Sequence, residues 1–379
     1  MMKTFACIAL MVALIAGPVT TYASDPLPDS THDILRSLNM GPEVLDGLDV
    51  ELKVPAAWVA GARKEGRLRI SGSWDPSVFN QYARPFKERY PFLKIDYARG
   101  SFNTRSIALL VAFKQGRVGA DVLTGFGGSF LMFKEAGALA DISDIPNVAN
   151  VPAEMKDPGG LWAGHQLTYY CITYNKTMLS PADLPRTWDD LLSNAKLRDH
   201  HLGLGDRPQL WLIALAGAQG EAWVDDYIAR LFRDMNPQLR KEGINAVIGL
   251  TGAGEMHATV PTSGYRTRYM ESKGAPVSFH CPEPVPGSTN EMAIMRNAPN
   301  VNAARLFVNW ALSKEGQVSQ YETDGGTPTH MAFQNDERFV AYADNLRGKK
   351  VAFRSPELLA DVGPRVIELW NATWASVGK

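Results

Sequence analysis

The sequence predicts an α/β fold arranged in two lobes. From Leu68 onward, short apolar strands alternate with amphipathic helices, the pattern of a mostly parallel sheet flanked by helices. At 379 residues the chain exceeds what one hydrophobic core comfortably fills. The third observation is the segment 291–317. It reads as an apolar strand with Met292 and Ile294, a turn through Asn297, Pro299 and Asn300, and a helix whose Leu306, Phe307, Trp310 and Ala311 form one broad buried face. Asn300 is the expected N-cap. Ser313 opens the next helix, which Gly316 should interrupt.

Residues 1–23 have the layout of a secretory signal peptide: Lys3, an apolar run over 5–16, a break at Gly17-Pro18 and small residues up to Ala23. The run falls short of the ~20 residues that a spanning helix needs. Cys7 belongs to the discarded peptide, and the chain is expected to be exported to the periplasm. Acidic and basic residues nearly balance, 40 against 39, which disfavours nucleic acid and anionic membrane as partners; a monomer is expected. Two cysteines remain, Cys171 and Cys281, an even count that permits one disulfide in an oxidising compartment.

Residues 24–66 form an N-terminal extension. Its later part, 55–65, starts at a proline, carries Ala56, Trp58, Val59 and Ala62, and stops at Gly66, which predicts a helix on the outside of the first lobe. Leu68 and Ile70 then make a strand. A helix over 76–90 follows, with Val78, Phe79, Tyr82 and Phe86 on one face and a kink at Pro85. Leu93, Ile95 and Tyr97 alternate as a second strand. After Gly100-Ser101 comes a helix with Ile107, Leu110 and Val111 inward, then a third strand at 121–124 and the loop Gly125-Phe126-Gly127-Gly128. In such a sheet, ligand loops lie at the carboxyl ends of the strands.

A long apolar and aromatic strand is expected at 167–175, and Thr187 with Asp190 caps the helix after it. Strands follow at 202–205, 256–261 and 277–281. Helices are expected at 209–218, 221–233, 265–272 and 356–377. The glycine loop lacks the spacing of a dinucleotide fingerprint, and no Walker lysine, G-x-S-x-G elbow or H-E-x-x-H helix is present. His200-His201 reads as a solvated pair, because adjacent side chains diverge and no third ligand has finger-like spacing. No metal and no cofactor are expected.

The wording of several segments resembles bacterial extracellular solute-binding proteins, in the group that includes ferric-iron binders. These segments are Gly72-Ser73-Trp74-Asp75-Pro76, Ala120-Asp121-Val122, Lys134-Glu135-Ala136-Gly137, Tyr174-Asn175, 184–191, Gly254-Glu255 and 291–317. The resemblance implies the type II periplasmic binding protein fold, two lobes joined by two crossing strands, serving an ABC importer through transient contact with an inner-membrane permease. It places the first lobe at 67–170 and 282–345 and the second at 171–281, and leaves 346–379 assigned to neither. Cys171 and Cys281 then fall on neighbouring crossing strands, as a disulfide or as two inert thiols. An exported enzyme on the same fold with a cysteine nucleophile is the alternative function class.

Iron-binding members use a His, a Glu and a Tyr-Tyr pair. This chain has Trp74, Phe126 and Gly264-Tyr265 at those places, so only Tyr265 survives, and one phenolate holds ferric iron poorly. The resemblance therefore implies a small organic anion, a carboxylate or a phosphorylated or phosphonate compound, with ferric iron as the alternative. Ser73, Trp74, Ser101, Phe126, Gly127, Arg207, Thr262, Ser263, Tyr265 and Arg266 are the expected ligand residues, with Arg105 beside them. Aromatic faces suit an organic body, while hydroxyls and guanidinium groups suit its anion. Trp74 and Phe126 would serve equally well as core. Intact mass of material purified from the periplasm should place the mature N-terminus at Ser24; retention of Met1 would contradict the export argument.

Overall fold

One strand runs through the centre of both halves of the protein. The computed structural model describes residues 27–100, 106–125, 129–334, 336–339 and 346–377. Its strands are β1 (Arg67–Gly72), β2 (Lys94–Arg99), β3 (Val122–Thr124), β4 (Ala163–Asn175), β5 (Leu202–Gly205), β6 (Gln238–Arg240), β7 (Ala258–Ser263), β8 (Val277–His280), β9 (Val285–Ile294) and β10 (Val351–Phe353). All 13 residues of β4 are buried. Its first half pairs antiparallel with β9 and its second half with β7 and β8. The strand order β2-β1-β3-β9-β4-β7-β5-β6 follows, with β8 on β4 and β10 on β9. A strand covered on both faces has no reason to alternate, and apolar residues such as Leu167, Tyr169, Tyr170, Cys171 and Ile172 follow one another with little regard to period 2.

Two main hydrophobic clusters flank the crossing. The first gathers Leu68, Ile70, Phe79, Phe86, Phe130, Phe133, Phe307 and Trp310 around β1, β3 and β9. The second gathers Trp188, Trp211, Tyr227, Ile228, Phe232 and Val260 around β5 and β7. Val362, Val366 and Trp370 of the C-terminal helix Pro356–Val377 belong to the second cluster. The chain returns there through β10, which lies parallel to β9. Cys171 and Cys281 form a disulfide, with Cα atoms 4.5 Å apart.

Local details depart from the sequence pattern where tertiary contacts prevail. The helix expected over 76–90 is two helices, Pro76–Tyr82 and Arg84–Arg89, because Pro85 cannot donate into a continuing helix and sits in the first turn of a new one. Val111 is 49% exposed rather than inward, and Leu110 takes the buried position. Gly316 does not interrupt: it lies inside the helix Lys314–Asp324, where a Cβ would come within 2.2 Å of the Trp310 carbonyl oxygen. The glycine is there for close approach. Asn300 makes no side-chain cap on the helix Val301–Ala311; its amide donates to Asp121 at 2.8 Å. Glu65 caps that helix instead, accepting from the backbone NH of Asn302 and Ala303. Such a cap comes from a residue distant in sequence and leaves no local signature.

The extension is integrated into the first half. Helix Ala56–Glu65 buries Trp58 and Ala62 in the first cluster. Ahead of it, Ile34, Leu35, Val44, Leu45 and Leu48 close a third cluster over Val318, Phe333 and Phe339. Glu51 accepts from the backbone NH of Lys314 at 2.8 Å, and Thr31 donates to the buried carboxylate of Glu315 at 2.6 Å. Both contacts grip the start of the helix Lys314–Asp324. The signal peptide 1–23 lies outside the described residues.

Two expectations follow. With its cysteines separated by 110 positions in sequence, the disulfide removes a large loop entropy from the unfolded chain. The double variant Cys171→Ala/Cys281→Ala should lose about 3 to 5 kcal/mol in urea unfolding. The imidazole of His165, buried on β4 beside Trp74, is pushed down to about 4 by desolvation, with a bond to Gln320 opposing. An unfolded histidine titrates near 6.5, so as pH falls from about 6.5 to 4 the unfolded state takes a proton that the folded state refuses. Stability should therefore fall across that window, by up to about 1.4 kcal/mol per pH unit. Unfolding midpoints at pH 7, 5.5 and 4.5 should show this slope, flattened in His165→Gln.

Candidate functional site

Parallel β1 and β3 end side by side, delivering Ser73 and Gly125 to one edge of the first half. Gly72 must be glycine, since a Cβ there would lie 2.5 Å from the Thr124 hydroxyl. Gly125 has φ +60, which glycine adopts without strain, and it sits directly against the exposed Ser73. The Thr124 hydroxyl is buried with no hydrogen-bond partner among the described residues. Ser101, Arg105, Phe126 and Gly127, all expected at this edge, lie outside the described residues.

Trp74 takes the core place that the sequence reading left open. Its ring packs against Phe79, Tyr82 and His165, and its indole NH donates to Asp324 at 3.0 Å. The side chain belongs to the first core. Thr262 is buried too, and its hydroxyl donates to the Cys171 carbonyl at 3.0 Å and accepts from Thr173 at 2.7 Å. Position after a strand does not reveal whether a polar atom is already engaged within the protein.

Opposite this edge, β7 ends at Ser263 and the helix Gly264–Ser272 begins, with Tyr265 and Arg266 in its first turn. Ser263 is buried opposite Tyr170 of β4. Tyr265 packs onto the first cluster although its helix follows β7, and a Cβ on Gly325 would stand 3.9 Å from its own Cβ. The two halves meet here. Arg266 lies 5.2 Å over the Tyr265 ring. Burial pushes the Tyr265 phenol up to about 12, helped by the Asp324 charge and opposed by Arg266.

Asp324 anchors the other side of the seam. Its carboxylate accepts from Trp74, from the Gln166 amide at 3.2 Å and from the Gly326 backbone NH at 2.8 Å. Burial holds its pKa above the ordinary carboxylate range, against the opposing effects of Gly326, Trp74, Arg266 and Gln166. Gln166 in turn accepts from Asn290 of β9 at 2.6 Å. Sequence reasoning missed Thr124, Gln166, Asn290 and Asp324. The one available signal was Asp324-Gly325-Gly326, an acid followed by a glycine pair at a helix end.

Arg207 stands 3.6 Å from Asp206 after β5, and none of its described contacts ties it to the Tyr265–Asp324 group. His201 stacks at 4.0 Å on His257, not on His200. A cavity beside β1 and β2 is lined by Arg67, Arg69, Asp96 and Leu109 and shares no residue with the seam. Arg67 is paired with Asp96, Arg69 with Asp121 and Arg99 with Asp75, so each arginine that lines the cavity already has a carboxylate.

The overall fold matches solved two-lobe binding proteins. Iron-bound HitA from Pseudomonas aeruginosa aligns with a TM-score of 0.68 at 17% identity, over 81% of this chain and 99% of that one. AfuA from Actinobacillus pleuropneumoniae with fructose-6-phosphate aligns with a TM-score of 0.63 at 19% identity, over 81% and 98%. The ferric binding protein from Campylobacter jejuni gives 0.66 at 14%, over 81% and 99%. No curated protein matches the chain in sequence. The family described as bacterial extracellular solute-binding protein matches residues 69–318. With the crossing strands, the paired cores and the seam between them already in place, that match identifies the chain as a member of the bacterial extracellular solute-binding protein family.

Proposed function

We propose that the protein captures a small organic anion, a carboxylate or a phosphorylated or phosphonate compound, between two lobes and delivers it to the inner-membrane permease of an ABC importer. On this reading the first lobe comprises 67–170 and 282–345 and the second 171–281. The observation that carries it is the position of Arg266. Its guanidinium stands in the first turn of a helix at the seam, next to a half-buried tyrosine ring. A helix N-terminus and a cation in a water-poor cleft together favour an anion. Ser73 and the Thr124 hydroxyl on the facing edge supply neutral hydrogen-bonding groups.

Ferric iron is the weaker reading on this donor set. It needs several anionic oxygens, and Tyr265 supplies one phenol, whose ionisation burial makes harder. The Asp324 oxygens are already engaged by Trp74, Gln166 and Gly326. An enzyme with a cysteine nucleophile is also disfavoured, since Cys171 and Cys281 are joined and a disulfide offers no thiolate.

Native mass spectrometry of freshly purified protein should reveal a co-purified anion, and calorimetric titration with that compound tests the site. Arg266→Ala should weaken binding by about 2 kcal/mol or more while the melting temperature is retained, because a charge-assisted bond in a closed cleft is lost. Trp74→Ala should act the other way, losing about 3 to 5 kcal/mol of stability as a core truncation. A visible tyrosinate band with stoichiometric ferric citrate would overturn the organic-anion reading in favour of iron.

A further inference from the structure

The disulfide lies where the two halves join. Along β4, pairing with β9 covers Ala163 to Tyr169, and pairing with β7 and β8 takes over from Tyr170. Cys171 is the second residue past that change. Cys281 follows β8 directly and opens the four-residue passage into β9, over 281–284. The bond thus joins the two crossing segments at the point where each leaves one sheet for the other. A third crossing is tied to the same place, since Lys349, just before β10, donates to the Cys281 carbonyl at 2.6 Å. On the seam side, the Cys171 carbonyl accepts from Thr262, two residues before the helix that carries Tyr265 and Arg266.

We propose that the Cys171–Cys281 bond is a redox-governed stop on the hinge. While it is intact, the crossing segments bend as one unit and the relative travel of the two halves is short. Reduction by a dithiol, which gives up two electrons and two protons and becomes a disulfide itself, leaves two thiols and lets the segments move separately. Both cysteines are fully buried, so an external thiolate reaches the sulfurs only when the crossing opens. The rate of reduction is then a measure of hinge opening. None of this depends on which solute is bound.

The test compares the oxidised full-length mature protein, the dithiothreitol-reduced protein and Cys171→Ala/Cys281→Ala, without added solute. In both unlinked forms, amide hydrogen exchange over 163–175 and 277–294 should accelerate about tenfold or more beyond the general acceleration that lost stability produces in helix Glu221–Met235, the internal reference. Small-angle scattering should show a larger radius of gyration for both. The native disulfide should also be reduced much more slowly in the folded protein than in urea. Equal acceleration in the control helix would mean general destabilisation and overturns the proposal. So would unchanged exchange at the crossing, an unchanged radius of gyration, or reduction as fast in the folded state as in the unfolded one.

Discussion

Everything in this molecule depends on a single strand that belongs to two sheets. β4 is buried along its whole length, and its backbone groups are satisfied by β9 on one side of the crossing and by β7 and β8 on the other. A strand so placed cannot shift register without exchanging the side chains that pack its two buried faces, so it fixes both halves at once. Two irregularities in its pairing, between Gly164 and Gln166 and between Cys171 and Thr173, flank the crossing. The first lets His165 turn toward Gln320 while Gln166 reaches Asp324.

That arrangement explains an unusual buried surface. The helix Lys314–Asp324 presents Gln317, Gln320 and Asp324 to β4, and the contacts between them are largely polar. Gln317 donates to the His165 carbonyl at 2.8 Å and accepts from the Thr329 backbone NH at 2.7 Å. Directional bonds of this kind define one position for the helix where apolar packing would tolerate several. The same helix is gripped at its start by the extension, through Glu51 and Thr31, and ends at Asp324 on the seam. The extension lies ahead of the family match and yet is joined to the seam through this one helix.

The sequence by itself determined the class of fold and the order of its elements. Periodicity is a local property, and the strands at Leu68, Tyr97 and Leu202, the Thr187–Asp190 capping box and the C-terminal helix all follow from it. The wording of 291–317 and its companions carried the family resemblance, which the match over 69–318 supports. Tertiary structure decided what each polar or aromatic side chain was for. Trp74 and Thr262 carry polar atoms whose partners in the fold, Asp324, Cys171 and Thr173, all lie far along the chain. Short β6 and β10 went unseen, and their existence rests on the neighbours they pair with. Asp324 itself reads as an ordinary helix-end acid, and only the folding of β4 against its helix buries it at the seam. A hydrogen bond is made by proximity in space, and pattern along a chain does not encode which distant atom arrives first.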